Sequence, residues 1–148
     1  MKTVFDDELR KDLIARIGTL SEESLPRWGK MHVGQMIRHC TAWEEMVAGK
    51  RKFRRVFLGR LVGKLALRSL IGNDTPLKHG IPTLKELRIT DVNVDVEAEK
   101  AKWITLIEEN ARNPNPNFVH PFCGRMTVGQ IGRMAYKHTD HHLRQFGA

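Results

Sequence analysis

The chain closes on YKHTDHHLRQFGA, a stretch that holds three of its seven histidines: His138, His141 and His142. Neutral imidazole is a good ligand for zinc, nickel, iron or copper. Three such ligands with open positions describe a catalytic metal, because a structural site is closed by a fourth. What chemistry these side chains can do depends on which of them share a face, and so on the elements that carry them.

At about 100° per residue, a helix through 127–146 places Val128, Ile131, Met134, Ala135, His138, His142 and Gln145 on one face. Arg133, Lys137, Asp140 and Arg144 fall opposite. His138 and His142 continue the apolar stripe one turn apart. His141 sits at the margin, leaning toward Lys137. Thr127 with Gln130 three residues later has the form of a capping box, so the helix is expected to start there.

An internal match extends this reading. GKMHVGQMIRH (29–39) and GRMTVGQIGRM (124–134) align at an offset of 95 residues, sharing Gly, a cation, Met, Val, Gly, Gln and Arg in register. That spacing is too long for a solenoid repeat and reads as two equivalent helix starts. A second helix is thus expected over 32–48, with His32 at its start and Met36, Cys40, Trp43 and Val47 as its stripe. His39 aligns with Met134, one turn before His138. His39, His138 and His142 are therefore expected to converge. A lone inward histidine is commonly a satisfied core side chain, and a pair four apart also occurs without metal. A buried cluster of three needs a reason, since without an ion its ring nitrogens repel when protonated and must otherwise be satisfied.

Two further bundle helices are read at 4–18 (Phe5, Leu9, Leu13 and Ile17 inward) and 95–111 (Ala101, Ile104, Ile107 and Ala111 inward). Between them lies a basic amphipathic segment over 50–71, with eight cations and no acid from Lys50 to Leu70. It is expected to pack its apolar side on the bundle and to solvate its cations. Residues 72–94 read as an extended linker, including ITDVNVDV, and NPNPNFVHPFCG as a loop. The fold class predicted is all-α: one domain over 1–148, a four-helix bundle with a long crossover carrying an extra basic helix.

These motifs, WGKMHVGQMIRHC and HPFCGRMTVGQIGRMAYKHTDHHLRQF with the gap between them, resemble the DinB-like (YfiT-like) superfamily of four-helix-bundle metalloproteins. The resemblance covers nearly the whole chain. It implies a divalent metal ion held by His39, His138 and His142, with water in the open positions. It also implies an enzyme: a transferase or isomerase using a low-molecular-weight thiol, or a hydrolase of small molecules. Zinc, nickel, iron and manganese all stay open.

The remaining side chains carry weaker signals. His79 lies in a loop, and His120, before Pro121, could approach the site. Glu44 and Glu45 lie off the His39 face and read as solvated, and Arg144 as surface. Cys40 and Cys123 read as small buried hydrophobes in a reducing compartment. Net charge is +8 with a pI near 9.9. That permits an anionic small-molecule substrate, nucleic acid or an anionic membrane surface as partner. The alternative to an enzyme is accordingly a binding protein that uses 50–71 to contact nucleic acid or such a membrane. The acidic start and the lack of an apolar run of about 18 residues point to a cytoplasmic protein. A homodimer stays open.

Overall fold

The computed structural model describes residues 1–148. Five helices make the fold: α1 Asp7–Gly18, α2 Val33–Val47, α3 Phe57–Ile71, α4 Val96–Arg112 and α5 Val128–Gln145. The class is all-α, as expected: a bundle of α1, α2, α4 and α5 with α3 in the crossover. α2 lies against α4 and α5, and α5 also meets α1 and α3.

Both matched helix starts form the same device. His32 Nδ1 accepts from the Gln35 N–H, and Gln35 returns a bond to the His32 N–H. Thr127 and Gln130 do the same for α5. Each box satisfies two of the N–H groups that a helix start leaves open. Equal caps fix equal phases, so the equivalent pairs Met36 and Ile131, Ile37 and Gly132, and His39 and Met134 are all buried.

α1 starts later than its pattern predicts, at Asp7 with Asp6 as its cap. The preceding residues are held instead as a strap on α5, where the Val4 N–H donates to the Gly132 carbonyl. The α4 stripe is also rotated from expectation. Trp103 is fully buried, Ala101 is exposed, and Lys100 is buried. Burying the largest apolar side chain decides the rotation. Lys100 tolerates it because its ammonium donates to the Gly18 and Leu20 carbonyls at the C-terminal end of α1, where the helix dipole favours a cation.

The crossover departs further. Residues 50–56 are not helical; the Val56 N–H and Arg55 Nε both donate to the Pro121 carbonyl. The segment read as a plain loop contains a small hairpin, β1 Val119–His120 with β2 Gly124–Arg125. Its turn is closed by the His120 side chain, a signal no strand pattern contains. A 3-10 turn at Lys85–Leu87 interrupts the 72–94 linker.

α3 is turned around relative to expectation. Gly59, Gly63, Leu67 and Ile71 face inward, while Phe57, Leu61 and Leu65 are 75%, 72% and 71% exposed. The two glycines let α3 lie on the hairpin backbone: a Cβ at either would fall inside van der Waals contact with the Phe122 carbonyl oxygen. Two α-carbons without side chains thus outcompete the leucine face. Gly63→Ala should therefore destabilise the fold by about 1–3 kcal/mol, although alanine is the better helix former by roughly 1 kcal/mol. Gly129→Ala, in α5 with nothing within 4 Å of its Cβ, should instead stabilise by about 0.5–1 kcal/mol. Urea midpoints of the two variants check the opposite signs.

Candidate metal centre

α2 supplies His39, and α5 supplies His138 and His142 one turn apart. The structure brings all three rings together. His39 Nε2 lies 3.0 Å from His138 Nε2. Ring centroids stand 4.9 Å apart for His39 and His142 and 4.8 Å apart for His138 and His142. One ring nitrogen from each histidine lies within 4.8 Å of the other two. Two nitrogens bound to one ion at roughly 2.0–2.1 Å each are at most about 4.2 Å apart, so a small ring adjustment brings all three into range.

Hydrogen bonds set the tautomers. His39 Nδ1 is 2.8 Å from the Leu87 carbonyl, which can only accept. Nδ1 therefore carries the proton and Nε2 a lone pair. Gln145 Nε2 donates to the Trp28 carbonyl at 2.9 Å, which turns Gln145 Oε1 toward His142 Nδ1 at 2.8 Å. His142 Nε2 thus also presents a lone pair. A proton on His138 Nε2 could satisfy only one of these. A cation satisfies both and takes the His138 lone pair as well, so the residues present fit a divalent ion. Acceptors on the outer nitrogens are what orient metal-binding imidazoles.

The electrostatics agree with neutral rings. Burial, followed by the neighbouring His39 and His141, pushes His142 down to about 3 despite Gln145. Burial lowers His39, and burial with three neighbouring imidazoles and His120 takes His138 well below its ordinary value. Unprotonated imidazole is the form that binds metal.

The three rings open onto a cavity of about 480 Å³. Its walls are mostly apolar: Trp43 and Leu87 at the rings, Ala66 and Leu70 from α3, Ile81 and Leu84 from the linker. No carboxylate lines it.

The sequence model described as the DinB superfamily matches residues 6–146. The chain belongs to the DinB superfamily. No curated protein and no solved structure matches it. The superfamily is metal-binding, and in this DinB-superfamily chain the buried histidine cluster could hold the ion.

The other histidines divide. His141 stays outside the trio; its ring edges onto His142 at 5.1 Å and Trp28 at 5.7 Å, and it lines the cavity rim. His79 stacks on Trp28 at 3.8 Å. His32 is the α2 cap. His120 does reach the cavity. Its Nδ1 accepts from the Phe122 and Cys123 N–H groups, both at 3.1 Å. Its proton must then sit on Nε2, and burial followed by the Arg55 charge holds its pKa down at about 4. His120 is a neutral, fixed donor.

Three expectations are overturned. Glu44 is 2% exposed, its Oε2 accepting from Asn110 at 2.7 Å. Glu45 is buried too, among Lys102, Arg51 and Arg38 at 2.5, 3.1 and 3.5 Å. Burial alone would raise its pKa; the three cations outweigh that and hold it low. Both carboxylates face α4, whose partner side chains a wheel of α2 cannot supply. Lys137, assigned to the polar face, is also buried and donates to the Asn73 carbonyl. Arg144 is exposed and both cysteines are buried and free, as expected.

The orienting groups Leu87 and Gln145 were not identified from sequence. Gln145 carried a signal, since it lies three residues after His142 on the same face. Leu87 carried none, being 48 residues from His39 in an irregular linker.

Proposed function

We propose that this chain is a divalent-metal-dependent enzyme that transfers a low-molecular-weight thiol to a small apolar electrophile. The observation that carries this reading is the pairing of three inward imidazole nitrogens with an apolar cavity free of carboxylates. When bound, the ion supplies Lewis-acid chemistry, lowering the pKa of a thiol or a water. Hydrolysis by a metal protease uses a carboxylate as general base, as in the H-E-x-x-H arrangement. Thiol transfer needs no such group: the thiol proton passes to solvent, the sulfur bonds to the electrophilic carbon, and the leaving group departs with its electron pair.

The chain's own residues fill the other roles. Leu87 and Gln145 hold the His39 and His142 rings in the ligating tautomer. Trp43 packs on the His138 ring at 4.8 Å and, with Leu84 and Phe122, gives the cavity an apolar wall. Burial raises the Cys123 thiol pKa and so disfavours the thiolate that a nucleophile requires. His120 Nε2–H is positioned to donate to an oxygen that gains charge on the electrophile.

The test is transfer of cysteine or glutathione to a chlorodinitrobenzene, with protein loaded in turn with zinc, nickel, manganese and iron(II). Turnover should require metal. His120→Phe should lower kcat/KM by about 100-fold, the cost of a lost oxyanion donor, while leaving metal content intact. Metal-dependent cleavage of a nitrophenyl ester without any thiol transfer would instead establish a hydrolase. Metal loss in a His120→Phe variant whose circular dichroism and urea midpoint match the wild type would make His120 a ligand and remove its assigned role.

A further inference from the structure

α3 presents to solvent what an amphipathic helix ordinarily buries. Phe57, Leu58, Leu61, Val62 and Leu65 are all exposed. On a helix they form one continuous arc of about 140°. A contiguous apolar patch of this kind marks an interaction site. Its border is cationic: Arg60, Lys64 and Arg68 follow one edge, and Arg54 stands at the N-terminal end, all exposed. Lys50 and Arg51 are neutralised by Glu109 and Glu45. Arg54, Arg60 and Arg68 have no carboxylate partner, Lys64 donates only to the Arg125 carbonyl, and the sequence holds no acid between Glu45 and Asp74.

We infer that α3 is a docking helix for an anionic phospholipid surface. An apolar arc of Phe and Leu with Lys and Arg at its border is the composition of a helix that lies in the membrane interface. The charge decides among occupants. A second copy of the chain, paired two-fold through α3, would bring this cationic border onto itself with no acid to meet it. Nucleic acid would satisfy the cations but leave the leucines against water or phosphate. An anionic bilayer meets both: acyl chains accept the arc, and headgroup phosphates meet the border. Docking is in plane, since no helix is long and apolar enough to cross a membrane. The inference is independent of the metal. α3 nevertheless walls the cavity through Ala66, Ser69 and Leu70, so docking sets the cavity beside the lipid surface.

Co-sedimentation of the full-length, untagged protein with vesicles tests this. It should pellet with an equal mixture of phosphatidylglycerol and phosphatidylcholine and remain in solution with phosphatidylcholine alone. Binding should weaken with salt. Each of Arg60→Gln, Lys64→Gln and Arg68→Gln should lower the partition coefficient about five-fold. The pair Leu61→Gln and Leu65→Gln should lower it at least about ten-fold. These side chains are exposed, so far-ultraviolet circular dichroism should show an unchanged helix content. The inference is overturned if the mixed vesicles do not pull the protein down. It is equally overturned by a soluble dimer that the leucine pair dissociates, which would make α3 an interface between copies, or by duplex DNA binding that the leucine pair leaves intact.

Discussion

His39→Ala, His138→Ala and His142→Ala should each abolish stoichiometric metal binding, while His141→Ala should keep it. Each of the first three removes one of only three inward nitrogens. Loss of a group that merely orients a ligand already costs about 10–100-fold in affinity, so loss of a ligand should cost more than about 100-fold. Gln145→Leu, which frees the His142 ring but leaves its nitrogen, should fall in the lower range. Thermal stability gives a second readout. Metal at roughly 100 times its Kd should stabilise the wild type by about 2.7 kcal/mol, or roughly 5–10 °C for a domain of this size. That gain should disappear in the three ligand variants and persist in His141→Ala. A site built from the local C-terminal cluster predicts the reverse: equal loss at His141 and none at His39, 99 residues away from His138. Either result would dismiss the trio.

The second large effect is a pH-dependent cost at Glu44. Burial pushes this carboxyl up to about 7, against the lowering hydrogen bond from Asn110, and Oε1 has no partner at all. A raised carboxyl pKa means the folded state holds its proton longer than the unfolded chain does. Stability is therefore undiminished below about pH 4.5, falls as pH rises toward 7, and levels off above it. The full span of the shift corresponds to about 3 kcal/mol. The five lowered histidines, His39, His120, His138, His141 and His142, act oppositely in an overlapping window: the folded state keeps them neutral, so they add stability as pH rises toward 6.5. A difference measurement separates the two. Glu44→Gln should gain about 2–3 kcal/mol relative to wild type between pH 5 and pH 8, read from urea unfolding at each pH. Parallel curves would mean that Glu44 ionises normally and that water reaches it.

Much of the frame was legible before any coordinates. The 3.6-residue period marks which side chains share a helix face, and the caps at His32 and Thr127 mark where α2 and α5 begin. Those are local properties, settled by backbone geometry within a few residues. They sufficed to set His138 above His142 and, through the matched helix starts, to bring His39 to the same centre. Tertiary packing decided what local period cannot: which of two plausible faces turns inward. α3 offers a leucine face and a glycine face, and the hairpin backbone at Phe122 selects the glycines by close approach. α4 turns to bury Trp103 rather than Ala101. Glu44 and Glu45 leave solvent because Asn110 and Lys102 wait on a helix distant in sequence. The proton position of His39 is likewise non-local: its tautomer comes from the Leu87 carbonyl in the linker, a contact that leaves no trace in spacing or composition.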